Sequence, residues 1–360
     1  MNRVAPRFES ATTGVAAPPV EAVQFRAHLT RTRMVAALGG LSAVTVIIAG
    51  IAITCGSMHI DLARALTDAA SPDRAILVGV RVPRVLIGLI VGGILAAVGV
   101  ALQALVRNPL AEGGILGISG GGALGAVAAT VLFAHVAAID LVVPVAAFAA
   151  SLAATAAVYR LAQVEGRLEP FTLLLVGVIF NSIWAAAIML VNSVVNFFFT
   201  HSIIFWLMGS FEAPTYREVG LVAIVGVAGF TVLLGQAHEM NLLSLGDDDA
   251  HELGVDVTFV RRLIFVTTSI MIGAAVSVSG IITFVGLIVP HVLRSLLGPD
   301  HRLLLPASIL GGAAFTAAAD LIARVVIAPA ELPVGAITAL CGGPFFIWVL
   351  RRHGRRALAL

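Results

Sequence analysis

The sequence predicts an all-α membrane protein of about ten transmembrane helices with both termini in the cytoplasm. Three observations carry that fold class. First, 59% of the 360 residues are hydrophobic, 12% are charged, and the mean hydropathy is +1.04, whereas soluble domains run at roughly 45–50% apolar and about 25% charged. Second, the apolar residues fall into long runs that match the roughly 20 helical residues needed to cross a hydrocarbon core of about 30 Å. Third, all 22 basic residues are arginine, and they gather in alternate connections. With the amino terminus inside, sixteen lie on the inner side, while Arg64, Arg74, Arg81, Arg84 and Arg217 lie outside and Arg324 falls within a span. This is the positive-inside bias.

Taken in order, residues 1–33 are rich in Pro, Ala and Arg and read as a disordered cytoplasmic lead-in. The first apolar run, 34–54, is too long for a cleaved signal, and Thr54 before Cys55 does not suit lipoprotein cleavage, so this run reads as an anchoring span. Runs 85–106 and 115–134 bracket the turn Asn108-Pro109-Leu110. The second of them opens on GILGISGGGALG, 114–125, the densest glycine cluster in the chain. It lacks the lysine of a phosphate loop and the preceding strand of a dinucleotide fingerprint, so close helix packing is its expected role. Gly117, Ser119 and Gly121 also spell G-x-S-x-G, but without the strand–turn–helix context that a serine nucleophile requires.

Runs 141–158 and 171–191 follow, the latter entered through Pro170 and Phe171. Asn181, Asn192 and Asn196 are costly in hydrocarbon and are expected to face a translocation path, with interhelical hydrogen bonding the alternative for Asn181. Beyond 219–237 and 263–282, the run 284–297 is short and contains Pro290, His291 and Arg294. That composition suits a half-span or a broken helix lining a cavity. Runs 305–328, with Asp320 and Arg324, and 333–350 complete the membrane domain of 34–352, and 353–360 form a cytoplasmic tail. Cys55 and Cys341 form no disulfide or metal pattern.

The most polar stretch is LGDDDAHELGV, 245–255, in an inner connection. Asp247, Asp248, Asp249, His251 and Glu252 are donors to metals, yet the spacing fits neither a calcium loop nor a zinc helix, and no metal site is expected. A short helix accounts for it better. The aspartates occupy a first turn where carboxylates complement the helix dipole, Leu253 offers an apolar contact, and Gly254 ends it.

LGDDDAHELGV resembles the cytoplasmic coupling segment of the FecCD-type permeases, the membrane subunits of type II ABC importers for ferric siderophores, haem and cobalamin. Further landmarks extend the resemblance over about 34–352: RVPR at 81–84, LQALVRNPLAEGGILGISGGGALG at 102–125, FWLMGSF at 205–211, FVGLIVPHVLRSLLGPDHRLLLP at 284–306, ADLIAR at 319–324 and AELPVGAITALCGGPFFIWVL at 330–350. The resemblance implies a permease-like fold in the bacterial inner membrane, working as a homodimer with two ATP-binding subunits and a periplasmic substrate-binding protein. It implies that Leu245, Gly246, Asp247, Asp248, Asp249, Ala250, His251, Glu252, Leu253 and Gly254 contact the ATPase, and that Arg81, Arg84 and Arg324 receive acidic groups of the binding protein. Asn108 and Leu110 match a gate, and Pro170 and Phe171 match a second constriction.

Independently of resemblance, a chain without lysine cannot supply a P-loop. Energy for uphill transport must then come from another subunit or from an ion gradient; the resemblance implies the former, a transport subunit rather than an enzyme, holding no cofactor itself, with ATP and magnesium bound by the partner ATPase. No feature points to nucleic acid; the surroundings are membrane lipid. The expected cargo is an iron chelate, either ferric siderophore or haem, with cobalamin as the alternative. An ion-coupled secondary transporter is a reading from another class, with Asp320 or His291 as its protonatable engine.

Overall fold

In the computed structural model, residues 30–212 and 214–357 are described, without the side chains of Phe198, Leu350 and 352–357. Most of the lead-in assigned to 1–33, and residues 358–360 of the tail, lie outside the described residues. The described residues are mostly helical. Its elements are α1 (Arg31–Thr54), α2 (Leu62–Thr67), α3 (Pro72–Ile76), a π-helical turn (Leu77–Arg81), α4 (Val82–Val106), α5 (Ile118–Leu132) and α6 (Ile139–Leu161). A two-stranded hairpin, β1 (Gln163–Val164) and β2 (Arg167–Leu168), leads to α7 (Pro170–Val194), α8 (Phe197–Met208) and α9 (Tyr216–Gly235). Then come α10 (Ala237–Leu243), α11 (Asp247–Glu252), α12 (Val257–Ser279), α13 (Val285–Leu297), α14 (His301–Val325) and α15 (Val334–Ala357).

Seven stretches among the described residues are long and apolar enough to cross a membrane: α1, Pro72–Val106, α6, α7, α9, α12 and α14. The three other expected spans correspond to α5, α13 and α15. At 1.5 Å per residue, the 15-residue α5 and 13-residue α13 extend only about 20 Å. Each is preceded by irregular backbone that ends in a left-handed residue, Gly117 (φ 78°) or Phe284 (φ 67°). Such backbone is tolerated at membrane depth where protein surrounds it.

Several boundaries differ from expectation. The helix expected over 85–106 begins much earlier, because Ser71 caps the Arg74 amide, Pro72 sits at the first position and the π-turn carries the helix into α4. Arg81 and Arg84 therefore lie on a helix rather than in a loop. The expected span 263–282 starts at Val257, since Asp256 caps the Phe259 amide and Arg261 finds a carboxylate partner. The run 219–237 divides at Gln236 into α9 and α10, and α8 forms where no span was expected. Helix α15 continues to Ala357, into the residues assigned to a tail.

The core forms around α4, which is buried over most of its length and packs on α9, α12, α13 and α14. Small residues make that possible. A Cβ on Gly92 would lie 2.3 Å from the Gly312 carbonyl of α14, and one on Gly99 would lie 2.0 Å from the Gly286 carbonyl of α13. Backbones thus touch where apolar side chains alone would give little specific attraction. The glycine cluster of α5 packs against Ala150, Ser151 and Ala154 of α6, as its composition suggests. Helices α1 and α7 lie at the periphery, exposed over most of their apolar surface.

Candidate functional site

Two polar regions stand at opposite ends of the helical bundle. At one end α11 is stopped by Gly246 (φ 136°) before it and Gly254 (φ 89°) after it, with Asp247, Asp248 and Asp249 in its first turn. Fully buried Ala250 and nearly buried Val255 hold it against the chain. The three aspartates do not act alike. Asp247 turns inward: Arg261 donates to its two oxygens at 2.6 and 2.7 Å, and the Arg107 guanidinium lies at 3.3 Å. Asp248, Asp249, His251 and Glu252 are exposed, flanked by exposed Leu245 and Leu253. A cleft of about 530 Å³ runs alongside, lined by Arg167, Leu168, Asp248, His251 and Val257 among others. The outer face of α11 therefore presents exposed carboxylates between two exposed leucines.

The α4–α5 connection lies at this end. Arg107 adopts the left-handed conformation that closes α4 (φ 50°), and the Asn108 side-chain oxygen accepts from the Leu110 amide at 2.9 Å. Leu110 is partly exposed, and Ala111 is buried. Glu169 caps α7, accepting from the Phe171 amide at 3.0 Å and from Thr172, so that Pro170 takes the first helical position and Phe171 stands exposed. Asp300 caps α14; its hydrogen bond from Arg302, joined by that from Asn241, holds its carboxyl down at about 2 despite partial burial.

Among the amides of the expected path, Asn181 is committed within the chain. Its Nδ2 donates to the Gly114 carbonyl at 2.8 Å and the Ile115 carbonyl at 3.3 Å. These bonds join α7 to the irregular backbone before α5 rather than to another helix. Asn196 caps α8, and the Asn192 side-chain oxygen is buried on α7 without a hydrogen-bond partner among the described residues.

At the opposite end, the arginines expected to form an open cationic surface are turned inward. Arg81, Arg84 and Arg324 are 4%, 6% and 2% exposed. The Arg84 Nε donates to Asp320 at 2.9 Å and its Nη1 to Glu331 at 2.6 Å, while the Arg324 Nε lies 2.9 Å from the other Asp320 oxygen as an ion pair without hydrogen-bond angles. Arg324 also donates to the Ala52 and Cys55 carbonyls, and Arg81 donates to those of Ile53, Thr54 and Met58. The carboxyl end of α1 is thus capped by two guanidiniums, which complement its dipole. The physical reason for the inward turn is that a guanidinium at low dielectric needs carboxylates and carbonyls around it. Of the outer cations, Arg64 stays largely exposed, near Asp61 and Asp73.

Sequence reasoning missed Glu331, Arg107 and Arg261 as parts of these networks. A signal existed in the rarity of charge, because an ionisable residue in so apolar a chain rarely stands without a stated partner.

A bundle of apolar helices around glycine-mediated backbone contacts, with an acidic short helix at one end and a closed ion network at the other, has the architecture of a multi-pass membrane protein. The chain belongs to the FecCD transport family, whose model matches residues 31–352. It is 45% identical to the cobalamin import system permease protein BtuC of Halobacterium salinarum, over 80% of this chain and 77% of that one. It is 37% identical to the hemin transport system permease protein HmuU of Yersinia pestis, over 88% and 95% of the two chains, and 37% identical to the uncharacterized ABC transporter permease protein YvrB of Bacillus subtilis, over 93% and 98%. Among solved structures, a metal-chelate type ABC transporter in an inward-facing conformation superposes with TM-score 0.77 at 30% identity, covering 88% of this chain and 99% of the other. The chain is an ABC importer permease, and a place in the bacterial inner membrane agrees with these relatives.

Proposed function

We propose that this chain, paired with a second copy, forms the membrane channel of an importer for a tetrapyrrole metal chelate of the cobalamin or haem class. The relatives whose names state a cargo carry cobalamin and hemin; both are tetrapyrrole chelates, and this supports that class over the ferric siderophores that the family resemblance also allows. ATP and magnesium are bound by a separate ATPase, which meets the α11 end on the cytoplasmic side. The observation that carries the reading is α11 itself, a helix held down by Ala250 and Val255 with its carboxylates and leucines left outward. Charge complementarity there would steer and orient a partner.

The opposite end faces the periplasm in this reading and receives the substrate-binding protein. Arg81, Arg84 and Arg324 then act from beneath the surface, organising the contact area around α2 and Glu331. Asn108, Leu110, Pro170 and Phe171 gate the inner mouth, and Asn192 and Asn196 border the path.

The ion-coupled alternative loses its best engine, because Asp320 lies between Arg84 and Arg324 with both oxygens engaged.

The test uses the exposed leucines Leu66 and Leu253, which are 71% and 59% exposed. Single cysteines are placed there after the native cysteines are replaced by serine. Leu66→Cys should react with an impermeant thiol reagent from the periplasm and carry a photo-crosslink to the binding protein. Leu253→Cys should react only in opened membranes and crosslink to the ATPase. The reverse pattern would overturn the orientation. Vesicles containing all partners should accumulate cyanocobalamin or hemin; exclusion of both would sink the cargo assignment.

A further inference from the structure

The connection between α4 and α5 is tied to three separate parts of the molecule. At its start, Arg107 lies 3.3 Å from Asp247 of α11. In its middle, Glu112 Oε2 accepts the Phe284 amide hydrogen, with an N···O distance of 3.0 Å. Towards its end, Asn181 of α7 holds the carbonyls of Gly114 and Ile115. Phe284 is the left-handed residue that opens α13, and its ring fills the notch beside Gly342 and faces Phe346 of α15.

Glu112 is the unusual member of this set. It is a carboxylate within an otherwise apolar and glycine-rich segment, it is largely buried, and the hydrogen-bond partner shown for it is one backbone amide. The contact spans 172 residues of sequence. It satisfies an amide at the entry to α13 that has no partner within that helix, where a negative group complements the dipole. A neutral side chain could fill the space, so a carboxyl placed here serves to hold that amide.

We propose that Glu112 is a positioning residue of the transport cycle, tying the α4–α5 connection to the start of α13 so that displacement of α11 is delivered through Asp247 and Arg107 to α13 and α15. The proposal rests on the reading of α11 as the ATPase contact. It gives the half-length α13 a mechanical role: a short helix entered through irregular backbone can shift as a unit when its first residue is pulled. A chain of contacts becomes a route for coupling only if breaking one link separates what lies before it from what lies after.

That separation is the experiment. In the permease–ATPase complex, native cysteines replaced by serine, spin labels are placed in two pairs, Leu66 with Leu253 and Leu66 with Leu296; all three sites are exposed. Distances are measured by pulsed electron resonance without nucleotide and after trapping with ATP and vanadate. In the parent protein both pairs should shift, the second by about 2 Å. In Glu112→Ala the Leu66–Leu253 pair should still shift and ATP hydrolysis stay within about twofold, while the Leu66–Leu296 shift is lost. Glu112→Gln, whose amide oxygen still accepts from Phe284, should restore it. An undiminished Leu66–Leu296 shift in Glu112→Ala would overturn the relay while leaving the coupling role of α11 intact. Loss of both shifts together would also overturn it, by making Glu112 a purely structural group. A parent in which Leu253 does not move would instead refute the reading of α11 on which the relay rests.

Discussion

Glu112 shows how much one residue's environment can change its chemistry. Burial pushes its carboxyl up from 4.5 to about 7, against the opposing pull of the Phe284 amide. A folded-state value raised above the unfolded one contributes stability that is present below about 4.5 and lost as pH rises through about 7. The full difference corresponds to about 3 kcal/mol. The parent protein in detergent should therefore lose thermal stability between pH 5 and pH 8, and Glu112→Gln, which carries no charge at either pH, should lose far less. Parallel melting curves for the two proteins across that range would contradict the assignment. Asp247 offers a second case at this scale. Removing it by Asp247→Ala leaves the nearly buried Arg261 guanidinium without its carboxylate, and truncating one partner of a buried pair costs about 3–5 kcal/mol. With the Asp247 side chain 39% exposed the lower part of that range applies, and ATPase binding should weaken because α11 is no longer anchored. None of these pairings is written in local sequence, since the partners are 14, 140 and 172 residues apart.

Elements owe their existence to sequence and their placement to backbone contact. The apolar runs located α1, α6, α7, α9 and α14 to within about four residues and α12 less closely. Their ends were misjudged where a cap or a distant partner extended a helix beyond its apolar stretch, as Asp256 and Arg261 do for α12. The α4–α14 crossing is the element contact most exposed to test. A Cβ on Gly312 would lie 2.3 Å from the Gly92 carbonyl, so Gly312→Val forces two backbones apart and should cost at least the 1–3 kcal/mol typical of overpacking. Gly343→Ala, with open space around it, should be neutral or slightly stabilising because alanine is the better helix former. Comparing the recovery of monodisperse protein after mild heating separates the two; equal recovery would refute close backbone packing as the device that holds α4 in the centre.

For the molecule as a whole, the two ends carry polar regions of different kinds. One offers a short helix with exposed carboxylates and leucines, the other an internally neutralised network of Arg84, Asp320, Arg324 and Glu331 at the carboxyl end of α1. A chain with no lysine for a P-loop should accumulate no cargo when reconstituted alone, and ATP should drive uptake only after the ATPase is added. Accumulation by the isolated chain in vesicles would end the account.

Composition, run length and the distribution of arginine by themselves determined that this is a helical membrane protein, and the ordered motifs determined its family, because solubility in lipid and local helix formation depend on what each segment contains. Tertiary structure alone decided that Arg81, Arg84 and Arg324 lie inward, that Asp247 serves its own chain while its neighbours face out, and that Glu112 meets Phe284. Charges in a medium of low dielectric settle where their counterparts are, and those counterparts come from helices that only folding brings together.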